Sequence, residues 1–382
     1  MKIGIDIRPL MEKPYFGVGE YTFHLLDNLF KIDQKNEYFL FYNSLKSVTE
    51  NLPKWDYPHV KFIGFRWPNK FFNLSQKFFH LPKVDKLIKG GVDVFFLPNQ
   101  HFISLSSDCY KVITVHDLTF EQFPEFFTFK RCLWHKLVNL KKLTQEFDKI
   151  ISVSQSTADD LVNLYGLKRD KIVVIHSGLF KDKIDEDTIN RVKIKYNLPK
   201  EFIFCLGRLE PRKNISGLIL AFDKLIEEIG ERGDDNSLRQ LLIAGSPGWL
   251  WRTVQKAIKK VKHKNNIRFI GYLPEKDKFA FYHLATLFVY PSFYEGFGFP
   301  VLEAMGCGCP VITSFSSSLP ELVNSAGILV DPDNLISLKE AMKKLLLEKE
   351  LREKLSEEGL IQARKFDWQQ TARKTLEVLS GI

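Results

Sequence analysis

The chain has 382 residues, of which 45% are hydrophobic and 26% charged, and this composition is typical of a globular protein with enough apolar material for two domains. Its 13% aromatic content excludes a mainly disordered chain, and five scattered Cys exclude a disulfide scaffold. The net charge of +9 indicates an anionic partner, such as nucleotide phosphates, nucleic acid or an anionic lipid surface.

No targeting segment is predicted at the N-terminus. The sequence MKIGIDIRPL enters a short apolar strand at once and lacks the long apolar core of a signal peptide. The sequence contains no run of 18 or more apolar residues, so no membrane span is predicted. We therefore expect a cytoplasmic protein with reduced cysteines.

Short apolar runs alternate with helix-like segments along the whole chain, which is typical of parallel strands that are covered by helices on both faces. A first helix is predicted at Gly19–Phe30. Strands of the first half are predicted at Lys2–Ile7, Tyr38–Tyr42, Val60–Phe65, Val92–Leu97, Val112–Val115, Ile150–Val153 and Ile172–Ile175. Strands of the second half are predicted at Phe202–Leu206, Leu241–Ala244, Ile267–Ile270, Leu287–Tyr290, Val311–Thr313 and Ile328–Val330. Helices near Ile336–Leu347, Glu350–Arg364 and Trp368–Leu379 close the chain.

A polar, charged stretch, Gly178–Lys200, interrupts this pattern and predicts a domain boundary. The fold class is therefore α/β, with two doubly wound Rossmann-like domains at residues 1–180 and 201–365, a linker at 181–200 and a final helical segment at 366–382. Ligands bind outside the carboxyl ends of the strands in such sheets, so we expect a site in the cleft between two facing domains.

A basic turn follows the first strand of the second domain. It places Arg208 and Lys213 just before a helix that begins at Asn214–Ile215. Two cations beside a helix N-terminus suit a phosphate group. The alternative is a solvated basic turn before a helix that Asn214 caps.

A glycine-rich turn with a carboxylate on each side follows the strand Leu287–Tyr290. Glu295 precedes the turn, and Glu303 lies about one turn inside a helix that begins near Pro300. The glycines let backbone N–H groups approach a ligand, and two carboxylates can accept hydrogen bonds from sugar hydroxyls. The alternative is a glycine loop whose glutamates only neutralise the helix N-terminus.

Two weaker signals lie in the first domain. His116 ends a strand, where it can hydrogen-bond a hydroxyl or phosphate while Asp117 orients it or caps the next turn, although a structural histidine is the alternative. Gly17 and Gly19 lie between the first strand and the first helix, where ligand-binding turns occur, but the third glycine of a dinucleotide fingerprint is missing.

Two basic segments with interleaved aromatic residues, Lys54–Lys89 and Lys130–Lys142, suit an anionic membrane surface or single-stranded nucleic acid. The first segment holds eight Lys or Arg, two Asp and nine aromatic residues. The alternative is that most of these aromatic side chains belong to the core and that the lysines form a solvated face.

These motifs together resemble the retaining, nucleotide-sugar-dependent glycosyltransferases of family 4, which have the GT-B architecture. The resemblance covers nearly the whole chain. Its stretches, in the family's order, are GIDIRPL, FGVGEYT, TVHDLTFEQFPEFF, IISVSQSTADDLVNLYG, LGRLEPRKN, FIGYLPEKD and PSFYEGFGFPVLEAMGCGCPVITSFSSSLPELVNSAGILVDP. The last block is highly specific, and the N-terminal stretches are closest to mannosyltransferase-like members of glycosyl transferase group 1.

The resemblance implies roles in the second domain, which would bind the nucleotide sugar. Arg208 and Lys213 would hold the donor diphosphate, and Glu303 would bind the ribose. Glu295 would face the donor sugar near the reacting carbon. The remaining contacts to sugar or phosphate would come from the backbone of Phe297, Gly298 and Phe299.

The resemblance also implies that the first domain is the acceptor side. His116 would contact the donor sugar or phosphate and take part in catalysis, and the loop with Gly17 and Gly19 would border donor and acceptor. This loop is shorter than in some family members. The final helix would cross back to the first domain.

The reaction implied by the resemblance is transfer of a hexose, mannose from GDP-mannose, to a glycan or lipid-linked glycan with retention. The reaction would serve the synthesis of a surface polysaccharide such as lipopolysaccharide. The enzyme would be cytoplasmic or peripheral on the inner face of the cell membrane. Alternatives are a nucleotide-sugar epimerase or hydrolase of this fold, against which the Glu-x7-Glu block argues, and a nucleic-acid-binding protein. No recognised nucleic-acid module is present, so no nucleic acid is expected as a partner.

No metal and no other cofactor are expected beyond the nucleotide sugar, which is a co-substrate. Arg and Lys can stabilise a leaving diphosphate without a metal ion. Asp331–Asp333 and Asp185–Asp187 match the D-x-D metal pattern of other sugar transferases. The first follows a strand where a turn is expected and the second lies in the linker, so neither is predicted to bind metal.

Overall fold

The computed structural model describes residues 1–180, 184–231, 239–249 and 251–381, which form two compact units. The first unit comprises Met1–Gln122, Phe129–Gly178 and Asp367–Ile382. The second comprises Phe123–Thr128 and Leu179–Phe366. No helix among the described residues is long and apolar enough to cross a membrane.

The first unit is built on a seven-stranded parallel sheet. Its strands are β1 (Lys2–Asp6), β2 (Glu37–Asn43), β3 (Val60–Phe65), β4 (Val94–Leu97), β5 (Tyr110–Val115), β6 (Lys149–Ser152) and β7 (Ile172–Val174). The spatial order is β3-β2-β1-β4-β5-β6-β7. Its first seven helices are α1 (Val18–Ile32), α2 (Asn69–Leu74), α3 (Val84–Leu87), α4 (Thr119–Gln122), α5 (Phe129–Val138), α6 (Leu140–Glu146) and α7 (Gln155–Tyr165), and a π-helix at Ser75–Phe79 continues α2.

The second unit is built on a six-stranded parallel sheet. Its strands are β8 (Glu201–Leu206), β9 (Arg239–Ala244), β10 (Ile267–Gly271), β11 (Leu287–Tyr290), β12 (Val311–Ser314) and β13 (Ile328–Val330). The spatial order is β10-β9-β8-β11-β12-β13. Its helices are α8 (Glu186–Lys195), α9 (Ile215–Glu231), α10 (Arg252–Lys260), α11 (Glu275–Leu284), α12 (Phe299–Gly306), α13 (Leu319–Val323), α14 (Leu335–Leu347) and α15 (Lys349–Ala363).

The final helix, α16 (Trp368–Leu379), belongs to the first unit. The Trp368 ring lies 5.5 Å from the ring of His24 and 5.9 Å from that of Tyr21, both on α1. The Thr371 hydroxyl donates a hydrogen bond to the carbonyl of His176 at 2.8 Å. The α/β prediction is confirmed, because every predicted strand is present with ends that agree within two residues.

The segment predicted as a linker differs from the expectation. Residues 181–183 lie outside the described residues, but α8 follows and is part of the second unit. Arg191 and Lys195 on α8 donate to the buried carboxylate of Asp277 on α11 at 2.8 and 2.7 Å, and Tyr196 donates at 2.8 Å. Since this anchor is electrostatic, α8 needs little apolar surface to pack, and its sequence is that of a polar connection.

Replacing Asp277 by asparagine is expected to lower the free energy of unfolding by about 2 kcal/mol at neutral pH, because three donors lose a charged acceptor. Burial would raise the pKa of Asp277, but Lys195, Arg191 and Tyr196 hold it at about 2. The folded-state pKa is below the unfolded value, so this stabilisation is present above about pH 4 and is lost as the pH falls toward 2.

Thermal unfolding measures this effect as a fall in Tm of about 4–8 °C at neutral pH. The difference from the unchanged chain should shrink when both are measured at about pH 3. The control is Asp333→Asn, which alters an exposed carboxylate of the same unit. An Asp277 effect of the same size at both pH values would contradict the assignment.

Candidate functional site

Two loops of the second unit meet because of its strand order. The chain runs outward from β8 to β9 and β10 on one side, and β11 begins the other side directly beside β8. The carboxyl ends of β8 and β11 therefore border the topological switch point, where ligands bind in sheets of this kind. The loop after β8 carries the predicted basic turn, and the loop after β11 carries the predicted glycine-rich turn.

Glu295 lies at the centre of a buried ion-pair network that joins these loops. Its Oε1 accepts a hydrogen bond from Lys213 Nζ at 2.5 Å, and its Oε2 accepts one from Arg212 Nη1 at 2.9 Å. Lys213 also donates to the hydroxyl of Tyr290, the last residue of β11. Glu295 and Lys213 are 5% and 7% exposed, so the network is shielded from bulk water.

The network holds charge in a region of low polarity. Burial would raise the pKa of Glu295, but Arg212 and Lys213 outweigh it and hold that pKa at about 2. Burial, together with the neighbouring charge of Arg212, lowers the pKa of Lys213 below its usual value, while Glu295 opposes this change. A buried cation whose charge depends on one carboxylate is suited to exchange that partner for a ligand anion.

Arg208 lies at the exposed rim of this network, with 56% of its side chain accessible. Its Nε is 3.5 Å from Glu210, whose other oxygen is 3.5 Å from Arg212 Nε. The Arg208 guanidinium also lies over the ring of Trp249 at 5.4 Å. Three cations and two carboxylates therefore make up the site, and this leaves an excess of positive charge.

Trp249 is in turn held by a segment that the sequence did not predict to belong to this unit, Phe123–Thr128. The Trp249 indole N–H donates to the carbonyl of Phe126, and the ring of Phe127 stacks on the indole at 5.9 Å. The ring of Phe123 packs at 5.9 Å from that of Tyr294, the neighbour of Glu295. This segment therefore contacts Trp249, which packs on Arg208, and Tyr294, which precedes Glu295.

Backbone hydrogen bonds fix the glycine-rich turn. The Ser318 hydroxyl donates to the carbonyls of Glu295 and Phe297 at 2.9 Å, and Ser317 Oγ accepts from the Glu295 N–H at 2.8 Å. Gly298 has a φ of 108° and immediately precedes α12, which begins at Phe299. A Cβ at Gly298 would come within 2.8 Å of the Leu319 side chain, so only glycine fits here.

Glu303 forms a second, separate network on α12. Its Oε1 accepts from Lys278 Nζ at 2.8 Å and its Oε2 from the Tyr282 hydroxyl at 2.9 Å. Lys278 is also paired with Glu275 at 2.6 Å. Burial raises the pKa of Glu303 although Lys278 favours its charged form. The carboxylate is therefore costly to keep ionised where it lies.

In the first unit, His116 follows β5. Its Nε2 is 2.8 Å from the carbonyl oxygen of Pro98, which can only accept, so this contact assigns the proton of a neutral imidazole to Nε2 and leaves Nδ1 as an acceptor. Burial lowers the pKa of His116, and its ring packs edge-on against Tyr21 at 4.7 Å. Asp117 accepts from the Thr119 N–H at 3.0 Å, so it caps the next turn.

Gly17 and Gly19 have different structural roles. Gly17 immediately precedes α1 with a φ of 48°, and a Cβ there would meet no atom within 4 Å. Gly19 lies within α1, where a Cβ would come within 3.2 Å of the Tyr15 side chain. Backbone conformation therefore accounts for the first glycine and close packing for the second.

The two D-x-D stretches bind backbone groups. Asp331 Oδ1 accepts from the Asp333 N–H at 3.0 Å, and Asp185 Oδ1 accepts from the Thr188 N–H at 2.8 Å at the start of α8. Within the described ranges, no group of three or more His, Cys, Asp or Glu is arranged to hold a metal ion.

The structure thus brings Lys213 and Glu295 into direct contact, places Arg208 near them through Glu210, and keeps Glu303 apart in its own network. Sequence reasoning missed Arg212, although it lies in the same quoted motif as Arg208 and Lys213. Spacing does not tell which of two arginines in a short irregular turn points inward. It also missed the partners Tyr290, Lys278 and Tyr282.

Two family models match the chain in succession. Residues 17–182 match "Glycosyltransferase Family 4", and residues 186–361 match "Glycosyl transferases group 1". The chain is 28% identical to the O-antigen chain mannosyltransferase B of Escherichia coli, over 98% of each chain. It is 33% identical to the serotype-specific mannosyltransferase WbdA of Escherichia coli over 60% of its own length, which spans 28% of that larger protein.

The fold also matches solved structures. The sucrose-phosphate synthase of Thermosynechococcus elongatus superposes with a TM-score of 0.74, over 100% of this chain and 98% of that one, at 18% sequence identity. This similarity concerns the fold alone. The two family models together match nearly the whole chain, in the order of its two α/β units. The chain therefore belongs to glycosyltransferase family 4.

Proposed function

We propose that this chain transfers a mannosyl residue from GDP-mannose to a glycan or lipid-linked glycan, with retention of configuration, in the synthesis of a surface polysaccharide. The observation that carries the proposal is the buried contact of Glu295 with Lys213 and Arg212 at the switch point of the second sheet. The choice of mannose is supported by the names of the curated relatives, the first of which aligns over 98% of both chains.

The donor diphosphate would replace Glu295 as the partner of the cations. Lys213 and Arg212 would bind the phosphate oxygens, with Arg208 at the exposed rim. The C–O bond between the sugar and the diphosphate breaks with its electron pair going to the phosphate oxygen, and these cations stabilise that charge as it develops. The acceptor hydroxyl oxygen forms the new bond to the sugar carbon, and its proton passes to the departing diphosphate.

Glu295, released from Lys213, would accept hydrogen bonds from the sugar hydroxyls and orient the ring. Glu303 would bind the ribose. His116 would contribute the Nδ1 acceptor defined by its bond to Pro98, which suits a hydroxyl of the donor sugar or the acceptor. The turn Phe297–Phe299 would present backbone N–H groups to the donor.

We propose that the reaction needs no metal ion, because three side-chain cations already supply the positive charge that a diphosphate leaving group requires. The enzyme would work in the cytoplasm, at the inner face of the membrane that carries its acceptor. Full transfer in the presence of a strong chelator is the expected result. A dependence on added Mg²⁺ or Mn²⁺ would contradict this part of the proposal.

A thermal-shift series tests the donor. The protein is heated with GDP, GDP-mannose, UDP and UDP-glucose in the presence of a chelator. A ligand at 100 times its Kd stabilises the fold by about 2.7 kcal/mol, which is readily measured. Shifts with GDP and GDP-mannose only are expected. A response to uridine nucleotides alone would overturn the donor assignment, and no response to any nucleotide would overturn the proposed site.

A further inference from the structure

We propose that the first unit docks on an anionic lipid bilayer through a basic-aromatic surface made of residues 66–83 and 129–142. This inference rests on the proposed function in one respect: a lipid-linked acceptor would be presented at this surface. The binding itself requires neither donor nor catalysis, so it can be tested separately.

Both segments are strongly basic and contain no carboxylate. They hold nine of its 55 Lys and Arg residues and none of its 46 Asp and Glu residues. The other 46 cations are therefore matched by 46 carboxylates. These 32 residues of one unit therefore carry nine positive charges with no carboxylate among them, as expected of a surface that meets polyanions.

Helix α5 carries an exposed apolar stripe. Phe129, Leu133 and Leu137 recur every four residues and are all exposed, with Phe129 at 84%. Val138 is buried on the opposite side of the helix, and Trp134 is half-buried there. An apolar stripe that faces water while the helix is already packed through its other side is typical of helices that lie in a membrane interface.

The same arrangement occurs in α2 and its π-helical continuation. Phe71, Leu74 and Phe78 lie at helical spacing and are exposed, as is Phe79 at 70%. Phe72 is buried beneath them. Together the two segments contain nine of the twenty large exposed hydrophobic side chains among the described residues.

Both segments border one connection, which joins β4 to β5. Ser104 in this connection donates to the His80 carbonyl at 2.8 Å and accepts from Lys83 Nζ at 2.9 Å. Phe102, two residues earlier, packs against the ring of Trp134 on α5 at 6.3 Å. Lys83 and Lys142, one from each segment, also line a single cavity of about 340 Å³. The two apolar stripes therefore belong to one region of the unit.

A bilayer fits this surface better than a second copy of the chain. Two copies would bring nine cations against nine cations with no carboxylate in either surface, which is repulsive. Anionic headgroups supply the missing negative charge, and the acyl boundary accepts the phenylalanine rings. Five lysines of this surface form no ion pair with any residue that the structure describes, so their charge is available to headgroups. They are Lys70, Lys77, Lys130, Lys136 and Lys141.

Vesicle flotation tests the proposal with the full chain. The vesicles are phosphatidylcholine alone, or phosphatidylcholine with an equal amount of phosphatidylglycerol. Flotation with the anionic vesicles only, and its loss at high salt, are expected. A variant that combines Lys130→Glu, Lys136→Glu and Lys141→Glu should bind the anionic vesicles at least about a hundredfold more weakly, since each cation contributes about fivefold to the affinity.

A matched variant controls for the change in total charge. It replaces three exposed lysines of α10 in the second unit and combines Lys256→Glu, Lys259→Glu and Lys260→Glu. It should float like the unchanged chain. A variant that combines Phe71→Ser, Phe78→Ser and Phe129→Ser should abolish flotation. Its control combines Ile336→Ser, Leu347→Ser and Ile361→Ser, which replace exposed apolar residues of the second unit.

Several outcomes would overturn the proposal: no flotation of the unchanged chain, equal flotation with neutral vesicles, or equal loss in the α10 variant. Light scattering that shows a dimer dissociated by the phenylalanine substitutions would identify a second copy as the occupant instead. Binding of GDP should remain unchanged in the surface variants. A chain that binds vesicles but no nucleotide would leave this inference standing and overturn the proposed function.

Discussion

A Lys213→Ala variant is expected to lose transferase activity by at least about a thousandfold in kcat/KM. Lys213 is the buried cation at the switch point, where the proposed leaving diphosphate would gain negative charge in surroundings of low polarity. Removing one preorganised donor to such a charge costs about 10²–10³ in rate, and a charged donor is stronger than a neutral one. The measurement is the steady-state rate of transfer from GDP-mannose.

The variant should still fold, which makes the result interpretable. Glu295 keeps Arg212 as its partner at 2.9 Å, so no buried carboxylate is left without a counter-charge. Lys224→Ala is the matched control, because it removes an exposed lysine from α9 in the same unit. Activity of Lys213→Ala within tenfold of that control would contradict the assignment of Lys213 to the diphosphate.

The fold could be predicted from the sequence because its physical signal is local. A strand buried on both faces must be a short apolar run, and β11 (Leu287–Tyr290), which is buried throughout, has the predicted ends. Helix α8 has no such signal. Its packing depends on Asp277, more than 80 residues away, and no local pattern of apolar residues announces an anchor of this kind.

The candidate site was predictable in its parts but not in its contacts. A glycine turn beside Glu295 and a basic turn with Lys213 point to a ligand, and strand order then brings the two turns together. The pairing of Glu295 with Arg212, and the support of Trp249 by Phe126, depend on side-chain directions in irregular backbone. Periodicity carries no information there, since neither a helical nor a strand repeat applies.

The role proposed for Glu303 predicts an effect on donor binding rather than on the rate. Glu303→Gln is expected to weaken GDP binding about 10–100-fold, because the charged acceptor that we propose for the ribose hydroxyls becomes a neutral one. The rate at saturating donor should change much less, since the ribose is remote from the reacting carbon. Titration calorimetry with GDP gives the Kd, and initial rates at saturating GDP-mannose give kcat. Tyr282→Phe, which removes one donor but keeps the carboxylate and Lys278, is the control.

Stability distinguishes this role from a structural one. The pKa of Glu303 is raised by burial, so the folded state holds its proton more tightly than the unfolded chain, and the ionised form costs stability at neutral pH. Glutamine removes that cost, and Lys278 keeps Glu275 as a partner at 2.6 Å. We therefore expect little change in Tm. A large fall in Tm with an unchanged Kd for GDP would contradict the proposed binding role and show that Glu303 serves the fold instead.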